Sequence, residues 1–242
     1  MKNKKIIFIA LDCNIQRAKA VIKSIPKIKS KKYEFGLKIG YQIFYAKGGR
    51  EFIKSIKKYK TFIDLKLNDI PNTVKSALLS IKDLNPNFVT IHASAGSEAI
   101  KIARKNSGKT NLLGVTVLTS MNKKTLKEVG HTKNINNLIL HQARLAKKSG
   151  CWGIVCSGKE AAMINKKVKI NTVTPGVRMP TDKSDDQKRV VTPKLALKNS
   201  SIVIGRPIVN GNIKNNFKRL IKHLEEWVFL QSRFVGWKKL KK

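Results

Sequence analysis

A chain of 242 residues with 41% hydrophobic and 27% charged side chains has enough apolar material for one sizeable core, which excludes disorder as its overall class. Its 51 Lys and Arg against 14 Asp and Glu give a formal charge of +37, a value that invites a polyanionic partner. The lysines nevertheless lie along most of the chain, and Lys, Asn and Ile are enriched together as A/T-rich codons would produce, so neither a specific nucleic-acid partner nor a membrane surface is expected.

The start, Met1-Lys2-Asn3-Lys4-Lys5 followed by an apolar run over 6–11, has the outline of a short secretory leader, but Asp12 ends the run too early for one. No later run is long enough to span a bilayer. Cys13, Cys151 and Cys156 are odd in number and form no C-x-x-C pair, which points to a reducing cytoplasm.

Short apolar, β-branched runs then recur at 6–11, 35–39, 61–67, 88–91, 112–118, 153–156, 170–173 and 201–204. Amphipathic segments lie between them. Over 71–84 the apolar positions are Val74, Ala77, Leu78 and Ile81, and over 213–230 they are Phe217, Leu220, Ile221, Leu224 and Val228. Eight continuous apolar strands alternating with helices predict a parallel sheet covered by helices, closed into a single-domain (β/α)8 TIM barrel over 1–232, with a basic C-terminal tail at 233–242. The stretches 120–137 and 175–192 read as long loops after the fifth and seventh strands, at the barrel end where ligands bind.

Residues i and i+2 of a strand share a face, so Asp64 and Lys66 are expected to project together into the barrel mouth. Lys38 reaches that mouth from the second strand and Asp12 from the first. Asp69 follows in the loop, where on local grounds it is a helix N-cap ahead of Ile70-Pro71. Alternating charges packed this closely are costly to bury unless they satisfy one another, which favours a fixed ion network. His92 ends the fourth strand and reads either as a lining residue or as a satisfied buried histidine; Cys151 and Cys156 read as apolar fillers. No spacing suggests a metal site.

Seven motifs in order, Ala10-Leu11-Asp12, Gly36-Leu37-Lys38, Asp64-Leu65-Lys66-Leu67-Asn68-Asp69-Ile70-Pro71-Asn72-Thr73, Val115-Thr116-Val117-Leu118-Thr119-Ser120-Met121, Thr174-Pro175-Gly176-Val177-Arg178, Asp185-Asp186-Gln187-Lys188-Arg189 and Ile204-Gly205-Arg206-Pro207-Ile208, resemble those of the orotidine 5′-phosphate decarboxylase family. The resemblance implies decarboxylation of orotidine 5′-phosphate to UMP in pyrimidine biosynthesis, with no cofactor and no metal. It implies that Lys38, Asp64, Lys66 and Asp69 form an alternating catalytic array, in which Lys66 stabilises the carbanion at carbon 6 and then protonates it. Asp69 and Thr73 would come from the partner of a homodimer. By the same resemblance Asp12, Lys38 and Thr73 hold the ribose, Ser120 reads the pyrimidine, Gln187, Gly205 and Arg206 take the 5′-phosphate, and Arg178 is a further substrate-binding residue.

Departures from the family pattern fall outside the catalytic run. Arg50 stands where a proline is common, Met179 separates Arg178 from Pro180, and Lys183-Ser184 replaces a usual glycine. The nearest rivals are the 3-keto-L-gulonate 6-phosphate decarboxylases and hexulose phosphate synthases, which share an Asp-x-Lys-x-x-Asp run but use Mg2+; Ile70-Pro71-Asn72-Thr73 argues against them. A basic RNA-binding protein would need clustered lysines with interleaved aromatics, and only 7% of residues are aromatic.

Overall fold

The computed structural model describes residues 4–28, 30–180, 182 and 191–225. Eight parallel strands, β1 (Lys5–Ala10), β2 (Tyr33–Ile39), β3 (Lys60–Leu67), β4 (Phe88–His92), β5 (Asn111–Val115), β6 (Gly153–Val155), β7 (Asn171–Thr174) and β8 (Ser201–Ile204), pair in chain order. Pairing of β8 with β1 closes the barrel, and helices occupy the connections. This is the (β/α)8 architecture expected from the alternating pattern.

The period-2 pleat sorts each strand into two apolar sets. Ile7, Ile9, Leu37 and Ile63 point outward and pack with the helices, whereas Ile6, Phe8, Phe62, Phe88, Leu113 and Val203 point inward. Phe8 packs edge-on against Phe62 and Phe88, with ring centroids 5.3 and 5.5 Å away. These rings plug the barrel, and at Gly36 a Cβ would lie 2.9 Å from both Ile6 and Phe8, so only glycine fits there. One pleat further toward the strand C-termini, the inward positions above this floor are Lys38, Asp64 and Thr90, all buried.

Several boundaries differ from the expectation. β5 ends at Val115 rather than 118, because its partner β6 has only three residues and their pairing stops at Val115 with Val155. The segment 120–137 contains a helix, Lys123–Glu128, closed by a capping box between Asn122 and Thr125. It buries only Leu126, too little periodicity to show in the sequence. Helices Tyr41–Phe44 and Gly49–Ser55 link β2 to β3, and the expected helix over 71–84 is Pro71–Ser80 followed by a 3-10 turn, Lys82–Leu84. The C-terminal helix runs over 213–225; its expected continuation to 230 and the basic tail at 233–242 lie outside the described residues. Among the described residues no helix is long and apolar enough to cross a membrane.

Candidate active site

The strand C-termini surround a cavity of about 510 Å3, a volume suited to a small ligand. Its floor is apolar, from Ala10, Phe62, Val115, Val155 and Val203. Its rim is not. Asp12, Lys38, Asp64 and Lys66 occupy one side, Thr119 and Ser120 another, and Arg178, Gly205 and Arg206 the side at β7 and β8.

The first side is a connected ion network. Lys38 Nζ donates to Asp12 Oδ1 at 2.9 Å and lies 3.5 Å from Asp64 Oδ2, which also accepts from Lys66 Nζ at 3.0 Å. Burial opposes charge on both Lys38 and Asp64, but each is overruled by its neighbours. Burial alone would lower the Lys38 pKa, yet Asp64 and Asp12 raise it above its ordinary value. Burial alone would raise that of Asp64, yet Lys38, Lys66 and the hydroxyl of Thr90 bring it below the ordinary carboxylate value. Gly40 keeps the network close, since a Cβ there would collide with Asp12 Oδ1.

Asp64 and Lys66 are brought together as expected, though the strand between them is irregular. Ile63 pairs with Val89, but the next partners are Leu67 and Ile91, so β3 advances four residues while β4 advances two. Lys66 takes a left-handed backbone with φ of 49°. Its amide N–H donates to Thr90 Oγ1 at 2.8 Å, and the Thr90 hydroxyl donates to Asp64 Oδ1 at 3.0 Å. Tyr41 supports the same corner: its hydroxyl donates to the Leu65 carbonyl at 3.0 Å, and Lys66 Nζ sits 5.7 Å from its ring centre. Neither Thr90 nor Tyr41 carried a sequence signal, the first being a β-branched residue in an apolar strand and the second an ordinary helix-start aromatic. Thr119, beside Ser120 in the same motif, and Asn210 also line the cavity.

Asp69 and Thr73 depart from this cluster. Both are exposed, and neither is among the described residues that line the cavity. The local reading of Asp69 as a helix cap is corrected: the N-cap position falls on Ile70, and the Asp69 carboxylate stands one residue outside, accepting from the Ile70 amide at 2.7 Å. Proline at the first helical position sets this frame, because the residue before it is held extended, with φ and ψ of −60° and 154° at Ile70.

At the opposite rim Gly205 follows β8 directly and Arg206 opens the short helix Arg206–Val209. Arg178 is buried, with Nη1 donating to its neighbour's carbonyl at Val177. The base of the loop after β7 is fixed by a bridge between Val177 and Val191 and by the Arg178 amide donating to the Val191 carbonyl at 3.0 Å. Met179 is buried, and its amide donates to Asp182, which pairs with Arg219 of the helix 213–225 at 3.1 Å. Gln187, the motif 185–189 and Lys183-Ser184 lie outside the described residues.

His92 is half-buried, and burial followed by the nearby Lys66 charge pushes its pKa down. Cys151 and Cys156 are buried; burial pushes the Cys151 thiol up to about 12, which suits the filler reading rather than a nucleophile.

A barrel with a lysine–carboxylate network on one lip of its mouth and arginines on the other defines an enzyme of the TIM-barrel class that works on a small anionic ligand. The known proteins it is similar to narrow this. The family described as "Orotidine 5'-phosphate decarboxylase / HUMPS family" matches residues 5–215, and the chain belongs to it. Orotidine 5′-phosphate decarboxylase of Aquifex aeolicus is 39% identical over 213 residues, covering 85% of this chain and 91% of that protein. The enzyme of the same name from Carboxydothermus hydrogenoformans is 41% identical, covering 78% and 83%. Among solved structures, orotidine 5′-phosphate decarboxylase from Lactobacillus acidophilus superposes with a TM-score of 0.75 at 30% identity, over 91% of this chain and 99% of that one.

Proposed function

We propose that this chain decarboxylates orotidine 5′-phosphate to UMP, the step its relatives are named for, without a metal or organic cofactor. The observation that carries the reading is the bonded Lys38–Asp64–Lys66 network at the strand ends, facing the ligand-sized cavity. Loss of CO2 leaves the electron pair of the broken C–C bond on carbon 6 of the pyrimidine. A fixed cation beside that carbon stabilises the pair as it forms, and the Lys66 ammonium then gives a proton to carbon 6, to be recharged from solvent. Asp64, kept ionised by its lysine neighbours, orients the ammonium and places a negative charge beside the leaving carboxylate.

Binding falls to the rest of the rim. Asp12 and Lys38 hold the ribose hydroxyls, Ser120 reads the pyrimidine edge, Gln187, Gly205 and Arg206 take the phosphate, Arg206 through charge-assisted hydrogen bonds, and Arg178 is a further substrate-binding residue. The phosphate is remote from carbon 6, so its binding energy can help close the loop over 175–192 and be expressed in the chemical step.

The working unit is a homodimer in which Asp69 and Thr73 complete the partner's site, in the cytoplasm. The exposure of Asp69 and Thr73 supports this arrangement, as do the exposed apolar side chains Tyr41, Tyr45 and Ile70 on the segments that follow β2 and β3. The test is the loss of orotidine 5′-phosphate absorbance with purified protein in EDTA-containing buffer. Turnover there is the expected result; no loss of orotidine 5′-phosphate with or without Mg2+, together with Mg2+-dependent turnover of a hexulose phosphate or a 3-keto sugar acid phosphate, would favour the metal-dependent sugar-phosphate enzymes.

A further inference from the structure

The bulge in β3 raises a problem that one side chain on β4 solves. Between Ile63 and Leu67 the regular pairing with β4 lapses, leaving the Lys66 amide without a ladder carbonyl, and the left-handed backbone at Lys66 is strained for a residue with a side chain. Such a conformation persists only where its surroundings fix it. Thr90 lies between the two β4 residues, Val89 and Ile91, that remain paired, points inward and is fully buried. Its hydroxyl has one proton and accepting lone pairs, and both functions are used: it accepts from the Lys66 amide and donates to Asp64 Oδ1.

With Oδ1 engaged by Thr90, the other oxygen of Asp64 is turned toward both lysines, at 3.0 Å from Lys66 Nζ and 3.5 Å from Lys38 Nζ. One hydroxyl therefore sets two things together, the backbone from which the Lys66 side chain departs and the carboxylate that aims its ammonium. We propose that Thr90 is a positioning residue for the reaction, a role that rests on the proposed function: it touches no reacting atom but holds Lys66 and Asp64 in register. Valine in its place would fill the same space while leaving the Lys66 amide and Asp64 Oδ1 unmet, whereas serine would keep both bonds.

The experiment compares Thr90→Val with Thr90→Ser in the full-length protein, reading kcat, KM and the titration of the Asp64 carboxyl carbon by NMR. Displacing a reacting group by a fraction of an ångström to one ångström costs about 10- to 100-fold in rate. That loss is expected in kcat of Thr90→Val with little change in KM, while Thr90→Ser retains most of its rate. The charges facing Asp64 are Lys38 from β2 and Lys66 from β3, with Asp12 beyond Lys38 and His92 on β4, and none is altered by either substitution. The Asp64 titration should therefore move to higher pH in the valine variant and stay in the serine variant.

Wild-type kcat in Thr90→Val, or equal losses in both variants, would overturn the proposal. Should Thr90→Val not fold, Thr90→Ala against Thr90→Ser differs by the same hydroxyl, and equal rates would again overturn it. A wild-type protein with no turnover would instead break the proposed function, and the carboxyl titration would still decide what Thr90 does.

Discussion

The two lips of the barrel mouth are built differently. On the β1–β4 side, Lys38, Asp64 and Thr90 are inward strand positions directly above a packed aromatic floor, and they are bonded to one another. On the β5–β8 side, Ser120 and Arg206 are exposed and sit on segments beyond the strand ends, and the loop after β7 is anchored at its base by the Val177–Val191 bridge. The first lip is fixed before any ligand arrives, as stabilising a developing charge requires. The second combines the buried Arg178 with the more exposed Ser120 and Arg206.

The sharpest way to break this division is to remove a charge from each lip. Lys66→Ala should lower turnover at least about a thousandfold, since it deletes both the stabilising cation and the proton donor, while UMP binding by calorimetry remains measurable. Arg206→Ala should lower kcat/KM by about 10- to 100-fold through loss of charge-assisted contacts to the phosphate, shared between a higher KM and a kcat that falls far less than in Lys66→Ala. If the Arg206 variant lost kcat as severely as the Lys66 variant, the two lips would not have separate duties.

A composite site predicts complementation. Asp69→Ala and Lys66→Ala dimers, each impaired, should regain activity on being mixed and allowed to exchange subunits, because each heterodimer contains one unaltered site. Statistical mixing returns about a quarter of wild-type sites; no gain beyond the sum of the separate variants would place Asp69 outside its partner's site.

The last effect is read on the folded state. Asp64's folded pKa lies below its ordinary 3.8, so its contribution to stability is complete above that pH and is lost as pH falls through the lower folded value. Lys38 is raised above 10.5, so its contribution is complete below that pH and is lost only as pH rises through the higher folded value. Asp64→Asn should remove the acid-side loss and lower Tm at neutral pH by about 5–15 °C, because it strands two lysines. Calorimetry from about pH 3 to 9 checks the Asp64 sign, the Lys38 contribution being constant over that range.

The fold and the first lip were legible because both follow from period-2 alternation. Continuous apolar runs give a two-sided buried sheet, and inward parity leads from Phe62 to Asp64 on β3 and from Gly36 to Lys38 on β2. Lys66 obeyed the parity rule only in outcome, since the strand bulges between Ile63 and Leu67 and Lys66 itself takes a left-handed backbone. Thr90 was not legible, because a threonine between Val89 and Ile91 reads as one more β-branched strand residue until its hydroxyl's partners are known. The cap reading of Asp69 failed because Pro71 sets the helix start one residue later than the side chain suggested. The helix Lys123–Glu128 was not legible because Leu126 is the one residue it buries, and a single apolar contact leaves no period to read.

In the proposed reaction Lys66 stabilises, and gives its proton to, an anion at carbon 6. By microscopic reversibility the same lysine must remove that proton from UMP. Proton NMR of UMP in D2O with the wild-type protein should show the carbon 6 hydrogen signal fading as deuterium replaces it, and the signal persisting with Lys66→Ala at equal UMP occupancy. Exchange that continues undiminished in Lys66→Ala would mean that another group carries the carbon 6 proton.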